Sequence, residues 1–303
     1  MTGASGFLGR HALAPLRRLG FEVHAVTSMP VDGIGPTDVH WHRTDLLDAG
    51  QSQAVLESVR PTHLLHFAWY AEHGRFWNSP LNLDWISSTL SLLKAFVEAG
   101  GKRFVGAGSC AEYDWTERDV YGEKDPLRPD TLYGAAKASA FLTGAAYAET
   151  ASIEFAWGRI FHLFGPHEAP GRIIPALIRA HLWNEKLDCS QGTQLRDFLP
   201  SAAIADAFAH LCDSGGDGGV QGAVNIGSGE AVTLRALSEM IAGKIGQKAD
   251  IRFGAFQDAG PAKLLPAVHR LHQEVGWRPP ISLDTGLEEA IEWWKVRGKQ
   301  PSA

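Results

Sequence analysis

The sequence contains little cysteine and no long apolar stretch. Of its 303 residues three are cysteine, and Cys110, Cys189 and Cys212 are too scattered for a disulfide framework or for paired metal ligands. No apolar run approaches the roughly 18–20 residues that a membrane helix needs. The first residues have neither the basic nor the apolar segment of a signal peptide. The sequence therefore predicts a soluble, cytoplasmic protein with no membrane partner.

Strong charge of either sign is also absent. The formal net charge is −6, which argues against a polyanionic partner such as nucleic acid. The thirteen histidines show no H-x-x-x-H or similar ligand spacing, so the sequence predicts no metal site. Apolar residues make up 45% of the chain and charged residues 20%, which is typical of a globular protein with an ample core.

Short apolar runs alternate with helical patterns in the first half of the chain. This alternation predicts an α/β fold with a doubly wound parallel sheet of the Rossmann type. The predicted strands are Phe21–Thr27, Val39–Thr44, His63–Ala68, Arg103–Ala107, Ile153–Phe161 and Ala223–Ile226. The predicted helices are Phe7–Leu19, Gln51–Val59, Leu83–Ala99, Leu132–Thr150, Ile173–Trp183, Ala203–Cys212, Leu234–Ile245 and Thr285–Lys295.

The second half of the pattern is less regular, and this difference predicts two domains. Residues 1–165 are predicted to form a dinucleotide-binding Rossmann domain, to which residues 196–228 return. Residues 166–195 and 229–303 are predicted to form a smaller C-terminal lobe that binds the substrate. Irregular segments after a parallel sheet are a common place to build substrate specificity.

Three glycines, Gly3, Gly6 and Gly9, form the pattern G-x-x-G-x-x-G at the entrance to the first helix. Glycine there lets the backbone turn tightly and approach a pyrophosphate on the helix N-terminus; the alternative is an ordinary strand-to-helix turn. The motif should follow a buried central strand, yet only Met1 precedes Thr2. The first strand is therefore missing from the sequence as given. Our hypothesis is that Met1 is a misassigned start and the true N-terminus lies upstream.

The end of the second strand offers no carboxylate for a ribose 2′-hydroxyl. The segment Thr27-Ser28-Met29 offers hydroxyls instead, which suit a phosphate slightly better than a bare ribose, and Arg10 could reach that phosphate. The predicted cofactor is NAD or NADP, with NADP slightly favoured.

Tyr133 and Lys137 place a phenol and an ammonium at i and i+4 on one helix face. That spacing predicts that Lys137 lowers the pKa of Tyr133 toward a value useful for acid–base chemistry. Ser109 follows a predicted strand, where the sites of parallel sheets gather, and its hydroxyl could hold an oxygen that exchanges a proton with Tyr133. The three residues predict hydride chemistry at a carbon that carries oxygen.

These segments resemble the extended short-chain dehydrogenase/reductase family, in particular its NAD-dependent epimerases, dehydratases and ketoreductases of nucleotide sugars. The resemblance runs nearly end to end. It rests on Thr2 to Gly9, Asp45-Leu46, His66-Phe67-Ala68, Ser109 to Tyr113, Tyr133 to Lys137, Arg159 with Gly165-Pro166, Arg196-Asp197-Phe198, Asn225 to Gly229 and Gly276-Trp277-Arg278-Pro279.

The resemblance implies a role for each matched residue. Tyr133 would be the general acid/base, Lys137 would also hold the nicotinamide ribose, and Ser109 would position the reacting oxygen. The implied cofactor-binding residues are Gly3, Ser5, Gly6, Phe7, Leu8, Gly9, Ser28, Asp45, Leu46, Phe67, Ala68, Trp69, Tyr133 and Lys137. The implied substrate-binding residues are Trp69, Cys110, His162, Arg172 and Arg196. The family also implies a homodimer packed through the helices Leu83–Ala99 and Leu132–Thr150.

Several of these assignments have a structural alternative. Arg196 suits the diphosphate or ribose of a sugar nucleotide, but a surface ion pair is the alternative. His162 stands where the family usually has asparagine, and a packed core histidine is an equal alternative. Cys110 fits a small packing residue better than a nucleophile. An aromatic group in one loop (Trp69, Tyr70, Phe76, Trp77 and Trp85, with His73 and Arg75 among them) predicts either a wall that stacks on a hexose or ordinary core packing.

One departure from the family narrows the reaction. Where dehydratases carry an Asp-Glu pair after the serine or threonine, this chain has Cys110-Ala111, which disfavours dehydration. The predicted function is that of an NAD(P)-dependent 4-ketoreductase or 4-epimerase of a nucleotide-activated hexose or 6-deoxyhexose. The alternative is a non-catalytic dinucleotide sensor or scaffold protein with the same fold.

Overall fold

The computed structural model describes residues 1–31, 36–116, 118–216, 218–257 and 260–298. Nine helices fall in these ranges: α1 (Gly9–Arg18), α2 (Ala49–Val59), α3 (Leu81–Glu98), α4 (Leu132–Ala151), α5 (Ile173–Trp183), α6 (Ser201–Asp213), α7 (Leu234–Ile245), α8 (His269–Gln273) and α9 (Leu283–Arg297). Short 3₁₀ turns cover Phe76–Asn78 and Cys110–Glu112. Among the described helices, none is both long enough and apolar enough to cross a membrane.

Fourteen strands fall in the same described ranges. Seven come before α5: β1 (His24–Thr27), β2 (His40–Arg43), β3 (His63–His66), β4 (Arg103–Ser109), β5 (Val120–Tyr121), β6 (Glu154–Ile160) and β7 (His162–Phe164). Seven follow it: β8 (Leu187–Cys189), β9 (Leu195–Arg196), β10 (Phe198–Pro200), β11 (Gly222–Ile226), β12 (Val232–Thr233), β13 (Ile251–Phe253) and β14 (Lys263–Pro266).

The main sheet is parallel, as the sequence predicts, with the order β2-β1-Thr2-β3-β4-β6-β11, in which Thr2 lies between β1 and β3. The crossover connections between parallel strands pass over both faces of the sheet, so helices cover each face. Helices α1 and α6 pack on one side and α2, α3 and α4 on the other. The doubly wound Rossmann architecture is confirmed.

A separate apolar cluster lies among α5, α7 and α9, around Leu177, Leu237 and Leu287. These three helices belong to the proposed substrate-binding lobe. Leu271 and Trp277, although late in the chain, pack instead in the cluster beneath the main sheet. The indole of Trp277 donates a hydrogen bond to Asp206 on α6 at 2.8 Å, which fixes this return to the sheet.

The N-terminus takes the central position of the sheet. Thr2 forms parallel bridges to Val26 of β1 and to His66 of β3. Its amide donates to the Leu65 carbonyl at 2.9 Å, and the carbonyl of Met1 accepts from the Val26 amide at 2.8 Å. Beside Met1, between β1 and β3, lies a cavity of about 350 Å³ that Val23 and Leu65 help to line. The hypothesis of an upstream segment stays a prediction.

Candidate functional site

The glycine turn lies at the carboxyl ends of β1 and β3, where parallel sheets bind ligands. Gly3 has a φ of +66°, and a Cβ atom there would lie 2.8 Å from the Ala68 nitrogen. A Cβ on Gly9 would lie only 2.1 Å from the Gly3 carbonyl oxygen. The turn therefore requires glycine at both positions. It leads directly into α1, whose N-terminal amides can meet a pyrophosphate, so the turn fits a dinucleotide.

Replacing Gly9 by alanine is expected to lower the free energy of unfolding by about 1–3 kcal/mol or more, because the added methyl must displace backbone. The matched control is Gly243→Ala at an exposed position of α7, where a Cβ meets nothing within 4 Å. That change is expected to stabilise the protein by up to about 1 kcal/mol, since alanine favours a helix interior. Urea denaturation measures both variants. Equal effects of the two substitutions would contradict the close approach at Gly9.

Hydrogen bonds between short side chains join the turn to the end of β1. The hydroxyls of Ser5 and Thr27 lie 2.6 Å apart, and the Thr27 hydroxyl also accepts from the Met29 amide at 3.1 Å. Ser28 is exposed beside them. Arg10, which the sequence directs toward a ribose phosphate, instead donates to the Ser5 carbonyl at 2.7 Å and to that of Gly6 at 3.1 Å. In this structure its guanidinium supports the turn.

The other predicted cofactor residues of the turn and the pair after β2 differ in burial. Phe7 and Leu8 are half-buried in the turn before α1, and Gly6 is exposed. Leu46 is buried, and its carbonyl accepts from the Ser88 hydroxyl at 2.6 Å. Asp45 is exposed and its carboxylate accepts from the Leu47 amide at 3.0 Å.

The end of β3 lies between the glycine turn and α4. His66 is buried and neutral because burial lowers its pKa to about 3. Phe67, Ala68 and Trp69 follow it, all half-buried, and Ala68 is the residue that approaches Gly3. The ammonium of Lys137 lies 3.8 Å from the centroid of the Trp69 ring. The predicted cofactor residues therefore form one continuous surface from the turn to α4.

Ser109, Tyr133 and Lys137 come together at this surface. Ser109 is the last residue of β4, which extends two residues beyond its predicted end. Tyr133 lies close enough to Ser109 for the serine hydroxyl to influence its pKa, and the Lys137 ammonium donates to the Ala107 carbonyl at 2.8 Å. The Thr131 hydroxyl accepts from the Gly134 amide and so caps α4 at the turn that carries Tyr133.

The electrostatics of this group differ from the sequence prediction. Burial raises the pKa of Tyr133 to about 12, and the nearby Ser109 hydroxyl opposes that shift. Burial also lowers the pKa of Lys137 to about 7, and the Glu112 carboxylate opposes that shift. The prediction that Lys137 lowers the Tyr133 pKa is wrong for this structure, because desolvation outweighs charge proximity. Tyr133 is a protonated donor at neutral pH.

Lys137 is expected to make stability depend on pH. Because its pKa is about 7 when folded and 10.5 when unfolded, the unfolded chain binds the extra proton between these values. Stability should therefore rise with pH across this window and be lost as pH falls toward 7. Relative to Lys137→Met, the wild type should gain about 1 kcal/mol per pH unit. Urea unfolding between pH 7.5 and 9 tests this; parallel curves for the two proteins would contradict it.

A buried polar network holds Ser109 from behind. Glu112 is fully buried; its Oε1 accepts from the Ser109 amide at 2.8 Å and from the Trp157 indole at 2.9 Å. Its Oε2 accepts from Arg159 Nε at 2.7 Å. Arg159 also donates to the Tyr113 hydroxyl at 2.9 Å. Sequence reasoning placed Glu112 and Arg159 in matched motifs but not in contact, because 47 positions separate them.

Two of the predicted substrate residues, Cys110 and His162, are enclosed by the protein. Cys110 is buried, and burial raises the pKa of its thiol to about 12, which excludes a nucleophilic thiolate. His162 is neutral, because burial and then the charges of Arg196 and Arg172 lower its pKa to about 3. Its Nδ1 is buried and finds no hydrogen-bond partner among the described residues. Depending on the tautomer, this nitrogen could donate a hydrogen bond to a ligand oxygen or accept one from a ligand hydroxyl.

Two arginines border this side of the site. Arg172 precedes α5 and lies close enough to oppose the rise in the Tyr133 pKa. Arg196, on β9, donates to the carbonyls of Leu195 and Pro261 at 2.8 Å each. Its charge opposes the rise in the Cys110 pKa and contributes to the fall in the His162 pKa. The structure therefore gathers Cys110, His162, Arg172 and Arg196 around one region.

The aromatic group divides into two parts. The Phe76 and Trp77 rings meet Tyr133 edge to face, at 4.8 and 5.8 Å between centroids. Trp115, which the sequence argument did not single out, continues this part beside Trp77 at 6.4 Å. Trp69 stacks with Trp85 beside Lys137. Phe76 and Trp77 are therefore beside Tyr133, where the predicted sugar-facing wall would lie.

Glu168 is a site residue that sequence reasoning missed. It is buried close to Arg172, and its Oε2 has no hydrogen-bond partner among the described residues. Burial raises its pKa to about 8, with Arg172 opposing the shift. A carboxyl group that stays protonated at neutral pH can donate a hydrogen bond. No motif marks it, because its environment arises from tertiary packing.

Comparisons with known proteins agree with this architecture. The profile described as the NAD dependent epimerase/dehydratase family matches residues 1–227. The UDP-glucose 4-epimerase of Rhizobium meliloti (strain 1021) is 24% identical, over 99% of this chain and 97% of that protein. The structure of MoeE5 in complex with UDP-glucuronic acid and NAD is 29% identical, with a TM-score of 0.82 and 98% of each chain covered.

A second solved structure shows the same fold. The UDP-N-acetylglucosamine 4-epimerase from Methanobrevibacter ruminantium M1, in complex with UDP-N-acetylmuramic acid, has a TM-score of 0.87 at 23% identity. The alignment covers 98% of this chain and 97% of that one. Because the family profile matches well over half of the chain, the protein belongs to the NAD-dependent epimerase/dehydratase family.

Proposed function

We propose that this protein is a 4-epimerase of a nucleotide-activated hexose, with a UDP-sugar as the first candidate substrate. The observation that carries the proposal is the convergence of Ser109, at the end of β4, with Tyr133 and Lys137 on α4. UDP-glucose 4-epimerases among the similar proteins support the choice of reaction. Cys110 and Ala111 continue to disfavour dehydration, since the Glu112 carboxylate is already bound by Arg159 and Trp157.

In this mechanism Ser109 accepts or donates a hydrogen bond at the reacting sugar oxygen and holds it against Tyr133. The Tyr133 hydroxyl transfers the proton, and its high pKa keeps the hydroxyl protonated at neutral pH, so that it can donate to a carbonyl oxygen. Lys137, buried under Trp69, would hold the nicotinamide ribose. A nicotinamide dinucleotide seated on the turn from Gly3 to Gly9 would take up and return the hydride.

The test is a panel of UDP-sugars followed by NMR of the sugar ring. We expect interconversion of the C4 epimers without stoichiometric consumption of added cofactor. A 4-ketoreductase is the second candidate, because the same three residues serve both reactions. Stoichiometric oxidation of NADPH with a 4-keto sugar nucleotide, and no epimerisation, would replace the epimerase proposal with it.

The proposed cofactor preference is a slight one for NADP. Its support is the exposed hydroxyl of Ser28 at the end of β1, although Thr27 and Arg10 are bound to the glycine turn. Fluorescence titration should give a lower dissociation constant for NADP than for NAD, by less than a factor of about ten. This factor corresponds to a binding free-energy difference of less than about 1.4 kcal/mol. A stronger preference for NAD would remove the role of Ser28.

The proposed assembly is a homodimer through α3 and α4. Leu83 on α3 and Leu142 on α4 are 55% and 57% exposed, which favours a partner for this face. Leu142→Glu should convert a dimer to a monomer in light-scattering chromatography. The control is Val296→Glu on α9, a residue 81% exposed, which should leave the dimer intact. A monomeric wild type at micromolar concentration would refute the dimer.

A further inference from the structure

Histidines gather on the two outer strands at the edge of the main sheet. His24 of β1 is the register partner of His40 of β2, and Val26 pairs with His42. Because strand side chains alternate in direction, His40 and His42 share one face with His24. Glu22, two residues before His24, joins the same face. This group is assembled across strands, so no short spacing along the chain marks it.

The group has the dimensions of a metal site. Glu22 Oε1 lies 3.2 Å from His24 Nε2 and 3.4 Å from His40 Nε2. In a tetrahedral zinc site, bonds of about 2.0–2.2 Å place ligand atoms about 3.3–3.5 Å apart. One ligand atom from each of the three residues lies within 4.8 Å of the other two. Small side-chain adjustments would bring all three onto one ion.

A fourth residue orients one of the ligands. His24 Nδ1 lies 2.9 Å from His42 Nε2. If His24 Nε2 binds a metal, Nδ1 must carry the proton and donate it to His42. In metal-binding histidines, a hydrogen bond from the ring nitrogen that does not bind the metal fixes the tautomer and the ring orientation. The rings of His24 and His40 are also stacked, at 4.7 Å between centroids, so the pair is already ordered.

We propose that Glu22, His24 and His40 bind one divalent transition-metal ion, with Zn²⁺ as the expected ion. Imidazole and carboxylate ligands suit Zn²⁺, and three protein ligands leave a position for water. The side chains of Glu22 and His40 are 74% and 58% exposed, which leaves that position open to solvent. Since His24 and His40 are the first residues of their strands, the ion would lie at the amino-terminal ends of the strands. Ser109 lies at the opposite, carboxyl-terminal ends. The role of the ion would be to link β1 to β2.

The test is titration of tag-free protein with Co²⁺, read by visible absorption, followed by displacement with Zn²⁺. We expect one Co²⁺ per chain and a rise in the melting temperature with Zn²⁺. His40→Ala should weaken binding at least tenfold and remove that rise. The control, His269→Ala at an exposed position on α8, should change neither quantity. Epimerase activity should be the same in both variants.

Two results would overturn the proposal. One is a wild type that binds neither ion below millimolar concentration. The other is His40→Ala binding Co²⁺ as tightly as the wild type. Because His40 is exposed, the metal-free variant should melt at the wild-type temperature, so a loss of binding cannot be ascribed to unfolding. Glu22→Gln, with a weaker oxygen ligand, should lower the affinity by a smaller factor than His40→Ala.

Discussion

Replacing Tyr133 by phenylalanine is expected to lower kcat/KM by about 10²–10⁴-fold, because the change removes only the hydroxyl that transfers the proton. The ring contacts with Phe76 and Trp77 remain, so the variant should fold and keep its cofactor. The measurement is the epimerisation or reduction rate at saturating cofactor, with cofactor binding followed separately.

The matched control for this variant is Tyr147→Phe. Tyr147 lies on the same helix α4 and is half-buried, so the two substitutions differ only in whether the hydroxyl faces the site. Full activity in the Tyr147 variant is expected. If Tyr133→Phe instead retained full biological activity, catalysis would not be the function, and the dinucleotide sensor or scaffold would become the better explanation.

Glu112→Gln is expected to lower the free energy of unfolding by about 3–5 kcal/mol, because it leaves the Arg159 charge buried without its counterion. Both side chains are at most 1% exposed, and the ion pair is 2.7 Å long. An amide also cannot accept all the hydrogen bonds that the carboxylate receives from Ser109, Trp157 and Arg159. Urea denaturation at neutral pH measures the loss.

An exposed ion pair gives the control for this substitution. Asp188 and Arg252 are also paired, at 2.6 Å, but their side chains are 52% and 73% exposed. Asp188→Asn makes the same change from carboxylate to amide and should cost less than about 1 kcal/mol. Similar losses for Glu112→Gln and Asp188→Asn would show that burial does not determine the strength of the Arg159 pair.

Local spacing explains which parts of the site the sequence predicts. Tyr133 and Lys137 are four residues apart on one helix, and Gly3 and Gly9 bound one turn, so their geometry follows from adjacent residues. The boundaries of α5 and α7 are likewise predicted correctly, because a helical apolar pattern runs through the whole of each element.

Long-range packing explains what the sequence could not predict. The contact between Glu112 and Arg159 and the burial of Glu168 depend on elements distant in the chain. The Tyr133 pKa has the opposite direction from the prediction because desolvation is a property of the folded surroundings, which a four-residue spacing does not contain. Arg10 could bind either a ribose phosphate or the backbone carbonyls of the glycine turn. The sequence does not distinguish these two acceptors, and the structure shows the guanidinium on the carbonyls.

The position of Thr2 connects the proposed cofactor site to the stability of the main sheet. Among the described residues, Thr2 is the one that bridges β1 and β3, and the glycine turn begins immediately after it. A dinucleotide that holds this turn would therefore also hold the two halves of the sheet together. Binding of the dinucleotide would then raise the free energy of unfolding. This stabilisation would act on the contact between β1 and β3, away from the proposed sugar-binding region.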